Sequence, residues 1–321
     1  MTPVRDLITV GRISVDLYAQ ELGASFTDPQ TFSKSVGGSP TNVAVAGARY
    51  GLASAVITQV GADPLGDYVR QRLNHWGVDT EFVGVDESAP TPVVLAAMDP
   101  PEDPKIVFYR GDRPPDVNVQ RTAALDDAVA QTRAFWVSLG AMAAGSTAAC
   151  VREWLDMRQR SQHVITDLDF RPSMWPSIEA AREATSFAID RSTVVVGNRA
   201  ECDVAVGTTD ADEAADAFLA RGVHLAIVKL GGGGVMLATE SERVRIDPLS
   251  IDVVCGLGAG DAFGGALVHG LVQEWDIATI GEFANAAGAL VVEQLTCADA
   301  MPEETHVRAM MVQNGRAEGH S

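Results

Sequence analysis

The 321-residue chain predicts an α/β fold: a mainly parallel sheet with helices on both faces, carrying a small β lid. Short β-rich runs alternate with helix-patterned segments along most of the chain. Two polar, turn-rich stretches interrupt that alternation with short strands of their own. The composition, 46% hydrophobic and 21% charged, is that of a chain with a full core.

Leu7–Val10 is a short apolar run closed by Gly11. Pro40–Tyr50 carries Val43, Ala44, Ala46 and Gly47 at helical spacing, and Gly51 stops it. Ser54–Val60 reads as a strand and Pro64–Trp76 as a helix. Further strands are expected at Ala134–Leu139, Val164–Leu168, Thr193–Val196 and Leu225–Leu230, with helices such as Ala148–Gln159 and Asp212–Ala220 between them. The lid is expected from about 13–36 and 91–115, where Val93–Ala97 and Ile106–Tyr109 are its clearest alternating pieces. Residues 1–313 therefore read as one domain, and the polar 314–321 as a flexible tail.

The charge balance limits the partners. With 43 acidic and 24 basic residues the net charge is −19, which disfavours nucleic acid and anionic membranes. It disfavours anionic small molecules too, unless a site gathers local positive charge. Cys150, Cys202, Cys255 and Cys297 form no C-x-x-C pair, as expected for reduced thiols in a cytoplasmic protein. Arg5, Asp6, Arg12 and Asp16 break up the N-terminal apolar residues, so neither a signal peptide nor a membrane anchor is expected.

Four motifs carry chemistry. Gly256-Leu-Gly-Ala-Gly-Asp261 opens a helix on which Phe263, Ala266, Leu267, Gly270 and Leu271 share a face. Its glycines let backbone N–H groups converge on an anion, especially a phosphate. A carboxylate repels phosphate, so Asp261 makes sense there as the base for a hydroxyl attacking that phosphate, the plainer alternative being a helix cap. Gly37-Gly-Ser-Pro-Thr-Asn42 places two glycines before a helix start and offers Asn42 to sugar hydroxyls, or is an ordinary loop-to-helix turn. Asn198 and Glu201 lie on one helical face and would position magnesium-bound waters, or else form a helix cap. Gly231–Gly234 is followed by Val235-Met-Leu-Ala238, which reads as a strand. A dinucleotide fingerprint needs a helix there, so a glycine turn passing a nucleotide fits better than an oxidoreductase. The chain has no G-x-x-x-x-G-K-[ST], H-E-x-x-H or G-x-S-x-G, and its lysines are Lys34, Lys105 and Lys229.

In this order the motifs resemble those of the ribokinase/PfkB family of carbohydrate kinases, from about residue 5 to residue 310. The resemblance implies a three-layer αβα sandwich with a β lid, ATP as phosphoryl donor and Mg2+. It assigns Asp261 as catalytic base and the amides at Gly258, Ala259 and Gly260 as its anion hole. It assigns Asp16, near the end of the first strand, to substrate hydroxyls, together with Gly37, Gly38 and Asn42. The expected nucleotide site comprises Asn198, Lys229, Gly231, Gly234, Gly258, Gly260 and Asn285, with Asn198 and Glu201 holding the metal through water.

Within the family, Gly11–Tyr18, Asp167–Trp175 and Gly256–Gly265 are most similar to the branch acting on 5-dehydro-2-deoxygluconate in myo-inositol breakdown. The Tyr109-Arg110 pair is shared with the 2-keto-3-deoxygluconate branch, and fructose or ribose are the neutral alternatives. Both leading substrates are sugar acids. Tyr109, Arg110, Asp169 and Arg171 are accordingly expected at the substrate, the arginines gripping its carboxylate or else pairing with Asp112 or Asp169 at the surface. Cys255 stands where many relatives have a carboxylate or an amide, and a thiol is a poor potassium ligand, so potassium activation is not expected. A homodimer is expected through the lid edge.

Overall fold

The structure, a computed structural model, describes residues 4–316. Its strands are β1 (Leu7–Val10), β2 (Ser14–Ala19), β3 (Phe32–Gly37), β4 (Ser54–Gly61), β5 (Val83–Asp86), β6 (Val93–Ala97), β7 (Lys105–Tyr109), β8 (Ala134–Ser138), β9 (His163–Asp167), β10 (Val194–Asn198), β11 (Leu225–Lys229), β12 (Val235–Ala238) and β13 (Arg243–Ile246). The helices are α1 (Ser39–Arg49), α2 (Pro64–His75), α3 (Ala123–Gln131), α4 (Gly145–Arg158), α5 (Ile178–Ile189), α6 (Arg199–Val206), α7 (Ala211–Leu219), α8 (Ala259–Val272), α9 (Ile277–Val292) and α10 (Glu304–Gln313).

A nine-stranded sheet runs in the order β13-β12-β11-β10-β9-β8-β1-β4-β5. It is parallel from β11 to β5, and the glycine turn after β11 leads into the antiparallel hairpin β11–β12. The central strands are short runs of Val, Ile and Leu because both faces are buried. In β1, Leu7 packs with α1, α2, α8, α9 and α10, while Ile8 and Val10 pack with α3, α4 and α5 on the other face. Helices α6 and α7 cover the β10–β11 end of that second face. The result is the expected αβα sandwich. A separate four-stranded sheet, β3-β2-β6-β7, is built from the two stretches that break the α/β rhythm.

Strand order proceeds from β1 to β4 and β5 on one side and from β8 to β11 on the other. That reversal beside β1 opens a crevice at the C-terminal strand ends, where ligands bind in open α/β sheets. The small sheet leaves the main one at the same rim, through Gly11 (φ 140°) after β1 and Gly38 (φ 99°) after β3. A Cβ at Gly38 would stand 2.3 Å from the Arg12 carbonyl oxygen.

Three expectations need correction. The helix after Gly258 has no single apolar face: Ala262 to Gly270 are all buried, because α8 is enclosed between α1 and α9. Asp16 lies not at the end of the first strand but in the middle of β2, in the small sheet. Residues 314–316 are held down, Arg316 donating to the Asp247 carbonyl at 2.5 Å and Asn314 to that of Met310 at 2.9 Å. The rest of the expected tail lies outside the described residues. Among the described residues, no helix is long and apolar enough to cross a membrane.

Candidate active site

The C-terminal rim gathers side chains from six segments. Arg12 follows β1, Ser138 ends β8, Asp167 ends β9 with Asp169 just beyond it, Asn198 ends β10, Lys229 ends β11, and Asp261 lies in the first turn of α8. Parallel strands make this inevitable, since each ends on the same edge of the sheet.

Asp261 is half-buried at the helix start, and Asn42 of α1 donates from Nδ2 to its Oδ2 at 2.7 Å. Sequence reasoning gave Asn42 to the sugar, whereas the structure gives its amide to the carboxylate. The Asn42 Oδ1 is buried without a partner. Burial pushes the Asp261 carboxyl above its ordinary range, and Asp169 adds to this, against the hydrogen bonds from Asn42 and Ser39 and the charge of Lys229. A carboxyl raised in this way is suited to take a proton near neutral pH. Gly258 caps α8 at φ 83°, where a Cβ would lie 2.6 Å from Cys297 Sγ. A Cβ at Gly260 would lie 3.2 Å from Lys229 Nζ, so the ammonium stands beside the backbone that opens the helix. A helix start with an ammonium beside it is the kind of place that suits an anion.

The rim beside the β1 and β9 ends is richer in arginine than the sequence reading foresaw. Arg12, which it missed, donates to Asp169 Oδ2 at 2.5 Å, and Arg171 lies 3.1 Å from Asp169 Oδ1. Ser138 Oγ donates to the same carboxylate at 3.1 Å. Burial opposes ionisation of Asp169, but the two arginines hold its pKa below the usual range. Arg110 donates to both oxygens of buried Asp116, at 2.9 and 3.1 Å, and not to the expected alternatives Asp112 or Asp169. Arg110 is thus less free than expected, while Arg171 remains 44% exposed. Tyr109 is 62% exposed on β7, and its side chain lies outside this buried group. The signal for Arg12 was adjacency to Gly11 at the end of the first strand, a position that always reaches the rim.

On the other flank Lys229 Nζ lies 4.0 Å from Asp167 Oδ1, an oxygen buried with no hydrogen-bond partner. Burial pushes the Asp167 carboxyl up, and Asp169, Glu201 and Asp261 reinforce it against Lys229. Burial works against the Lys229 charge, but Asp167, Glu201, Asp261 and Asp169 outweigh it and hold its pKa above the ordinary value. Gly231 and Gly232 border open space, with no atom within 4 Å of where a Cβ would sit. Asn285 Nδ2 donates to the Asp247 carbonyl at 3.0 Å, holding the segment after β13.

Asn198 and Glu201 prove to be a reciprocal capping box. Asn198 N–H donates to Glu201 Oε2 at 2.7 Å, and Glu201 N–H donates to Asn198 Oδ1 at 2.9 Å. Both side chains are engaged by α6 itself, which was the plainer alternative. Asn198→Ala should therefore lower stability by about 0.5–2 kcal/mol in a denaturant titration. Glu201→Gln keeps a capping residue, so an unchanged magnesium titration in that variant would confine Glu201 to the cap.

A half-buried carboxylate at a helix start, beside a lysine and on the switch-point rim of a doubly wound sheet, is an arrangement suited to phosphoryl transfer. Residues 4–304 match the pfkB family carbohydrate kinase model, and the chain belongs to that family; it is a carbohydrate kinase. Relatives named 5-dehydro-2-deoxygluconokinase 2, from Bacillus cereus, and 5-dehydro-2-deoxygluconokinase, from Bacillus anthracis, are each 29% identical over 95% of this chain and 94% of their own. Among solved structures, a fructokinase from Xylella fastidiosa with bound ATP is 25% identical, with TM-score 0.83 over 98% of this chain and 100% of that one. A structure assigned as a ribokinase II from E. coli, in complex with ATP and Mg2+, is 21% identical, with TM-score 0.88 over 97% of this chain and 100% of that one.

Proposed function

We propose that the protein transfers the γ-phosphoryl group of ATP to the terminal hydroxyl of a sugar acid, 5-dehydro-2-deoxy-D-gluconate, giving its 6-phosphate in cytoplasmic myo-inositol catabolism. The names of its relatives support the substrate, and one observation carries the sugar-acid class. Arg12, Arg110 and Arg171 meet Asp169 and Asp116 in one cluster, and Arg171 stays 44% exposed there, so in a protein of net charge −19 its guanidinium is open to a carboxylate supplied by the substrate.

In this reading Asp16 accepts hydrogen bonds from sugar hydroxyls, and Asp261 takes the proton from the hydroxyl that attacks the γ-phosphorus. Amides at Gly258, Ala259, Gly260 and Asp261, with Lys229, stabilise charge on the transferring group. The unpartnered Asp167 oxygen and the open glycine turn fit a nucleotide with its magnesium. Asp167, with water beside Asn198 and Glu201, would hold the ion, which when bound screens phosphate charge. The small sheet acts as a lid that excludes water, the competing acceptor. Phe32, Val107 and Tyr109 are exposed on it, which favours a homodimer formed through that sheet.

The test is a phosphorylation screen across 5-dehydro-2-deoxygluconate, 2-keto-3-deoxygluconate, fructose and ribose. The sugar acids should be preferred, and Arg171→Met should cost on the order of 10–150-fold in kcat/KM for the acid and little for a neutral sugar. Better turnover of fructose or ribose would overturn the substrate and leave the kinase standing.

Potassium should change the rate little. Cys255 is buried and its thiol is pushed up to about 11, so it offers a neutral sulfur where a carboxylate would help hold the ion. Rates in potassium and in a bulky organic cation at equal ionic strength make the comparison; strong activation would mean that carbonyl oxygens suffice.

A further inference from the structure

Tyr18 is fully buried in β2, and its hydroxyl faces two partners that no motif connects. The oxygen lies 3.1 Å from Asp16 Oδ2 and 2.9 Å from Cys297 Sγ. A phenol has one proton to give, and the carboxylate is the stronger acceptor, so the thiol S–H donates to the phenol oxygen and the phenol O–H to Asp16. Burial holds both the phenol and the thiol protonated, consistent with those two donations.

Each end of this chain meets the reaction machinery. Asp16 is flanked by Ser14, which donates to its Oδ1 at 2.6 Å, and by Gly37 of β3, where a Cβ would fall 2.0 Å from the carboxylate. Cys297 Sγ packs against Gly258, at 2.6 Å from where a Cβ there would sit, so the sulfur backs the turn that presents the α8 amides. Two residues on, Asp299 accepts from Ser35 Oγ of β3 at 2.5 Å and pairs with Arg72 of α2 at 2.5 Å. The segment around 297–299 is therefore the joint between the small sheet and the α8 start.

We propose that Tyr18 is a positioning residue for phosphoryl transfer: its hydroxyl orients the Asp16 carboxylate toward the sugar and, through Cys297, fixes that carboxylate relative to the Gly258 turn. The proposal rests on the reading of Asp16 as the sugar's hydroxyl acceptor. It also has a signature in pH. Burial raises the Asp16 carboxyl to about 6, with Asp261 of α8 adding to this and Ser14, Tyr18 and Arg12 opposing it. Cys297 and Cys255 are the other titratable groups about Tyr18. The carboxylate is the form that accepts from sugar hydroxyls, so kcat/KM for the sugar falls as pH drops through this value. Removing the phenol proton's donation raises the Asp16 pKa further, and the acid limb moves upward.

The experiment measures kcat and KM for the sugar, and KM for ATP, from about pH 5.5 to 8.5 in Tyr18→Phe, Cys297→Ser, Cys297→Ala and Asp16→Ala. Tyr18→Phe should move the acid limb up by about one unit, the size of one hydrogen bond to a carboxylate. The loss, about fivefold near pH 6 and nearing tenfold only below it, should appear in the sugar KM and recover above pH 8. Cys297→Ser keeps a donor and should follow the wild-type profile, while Cys297→Ala should shift it in the Tyr18→Phe direction. The cysteine pair keeps the test open should Tyr18→Phe fold poorly. An unmoved acid limb in Tyr18→Phe, or Ser and Ala indistinguishable at 297, overturns the positioning role while Asp16→Ala still abolishes sugar binding. An Asp16→Ala variant with unchanged sugar KM overturns the reading of Asp16 itself, and the proposal with it.

Discussion

Asp261→Asn should lower kcat by ~10²–10⁴-fold and leave ATP binding nearly intact. The carboxylate is half-buried at the start of α8, receives the Asn42 amide at 2.7 Å, and has a pKa raised chiefly by desolvation. An asparagine there preserves volume and can still face Asn42, but it cannot accept the hydroxyl proton. The loss should therefore lie in kcat, with nucleotide affinity, measured calorimetrically, close to wild type. In the wild type the base must be ionised to work, so the rate should decline on the acid side at a pH above that of an ordinary carboxyl. A variant with more than about a tenth of wild-type kcat would remove Asp261 from the role of base. Asn42→Ala supplies the internal comparison: losing a donor to the charged form raises the Asp261 pKa and moves that acid limb upward.

The second large effect concerns stability. Arg12 and Asp169 form an ion pair at 2.5 Å with side chains only 11% and 5% exposed. Removing one member of a buried pair leaves an uncompensated charge and typically costs about 3–5 kcal/mol. Arg171 and Ser138 still touch Asp169, which places Arg12→Met at the lower end, about 3 kcal/mol, or on the order of 5 °C in Tm for a chain of this size. The double variant Arg12→Met with Asp169→Asn should recover most of that stability without recovering activity toward the acid. If Arg12→Met is as stable as wild type by denaturant titration, the pair is not what holds the β1 and β9 ends together.

These two residues show what the sequence made legible. Asp261 and its glycines are neighbours in the chain, so their shared chemistry can be read from one hexapeptide. Gly231–Gly234 was equally readable, because a strand and a helix differ in period and the residues after the turn declare which follows. Asn198 and Glu201 carry the N-x-x-E spacing of a capping box, and the structure takes that local meaning. Arg12 was legible only as a residue at the end of a strand, not in its partner. Its partner lies 157 positions away and is met only because β1 and β9 end on the same rim. Asn42 was legible as a site residue but not in its partner, since its contact with Asp261 depends on how α1 crosses α8. Nor did α9 announce itself: Ile277–Val292 is buried nearly all round and rich in Ala and Gly, so it shows no stripe.

The scarcity of lysine has a practical consequence. Lys34 lies in β3 and Lys105 opens β7, while Lys229 sits half-buried at the rim among carboxylates. A lysine-specific endoprotease thus finds two of its three possible cleavage points in the small sheet and the third shielded by the main one. Limited digestion of the native protein reports on that sheet alone, and the rate of the first cut becomes a clock for how often it comes loose.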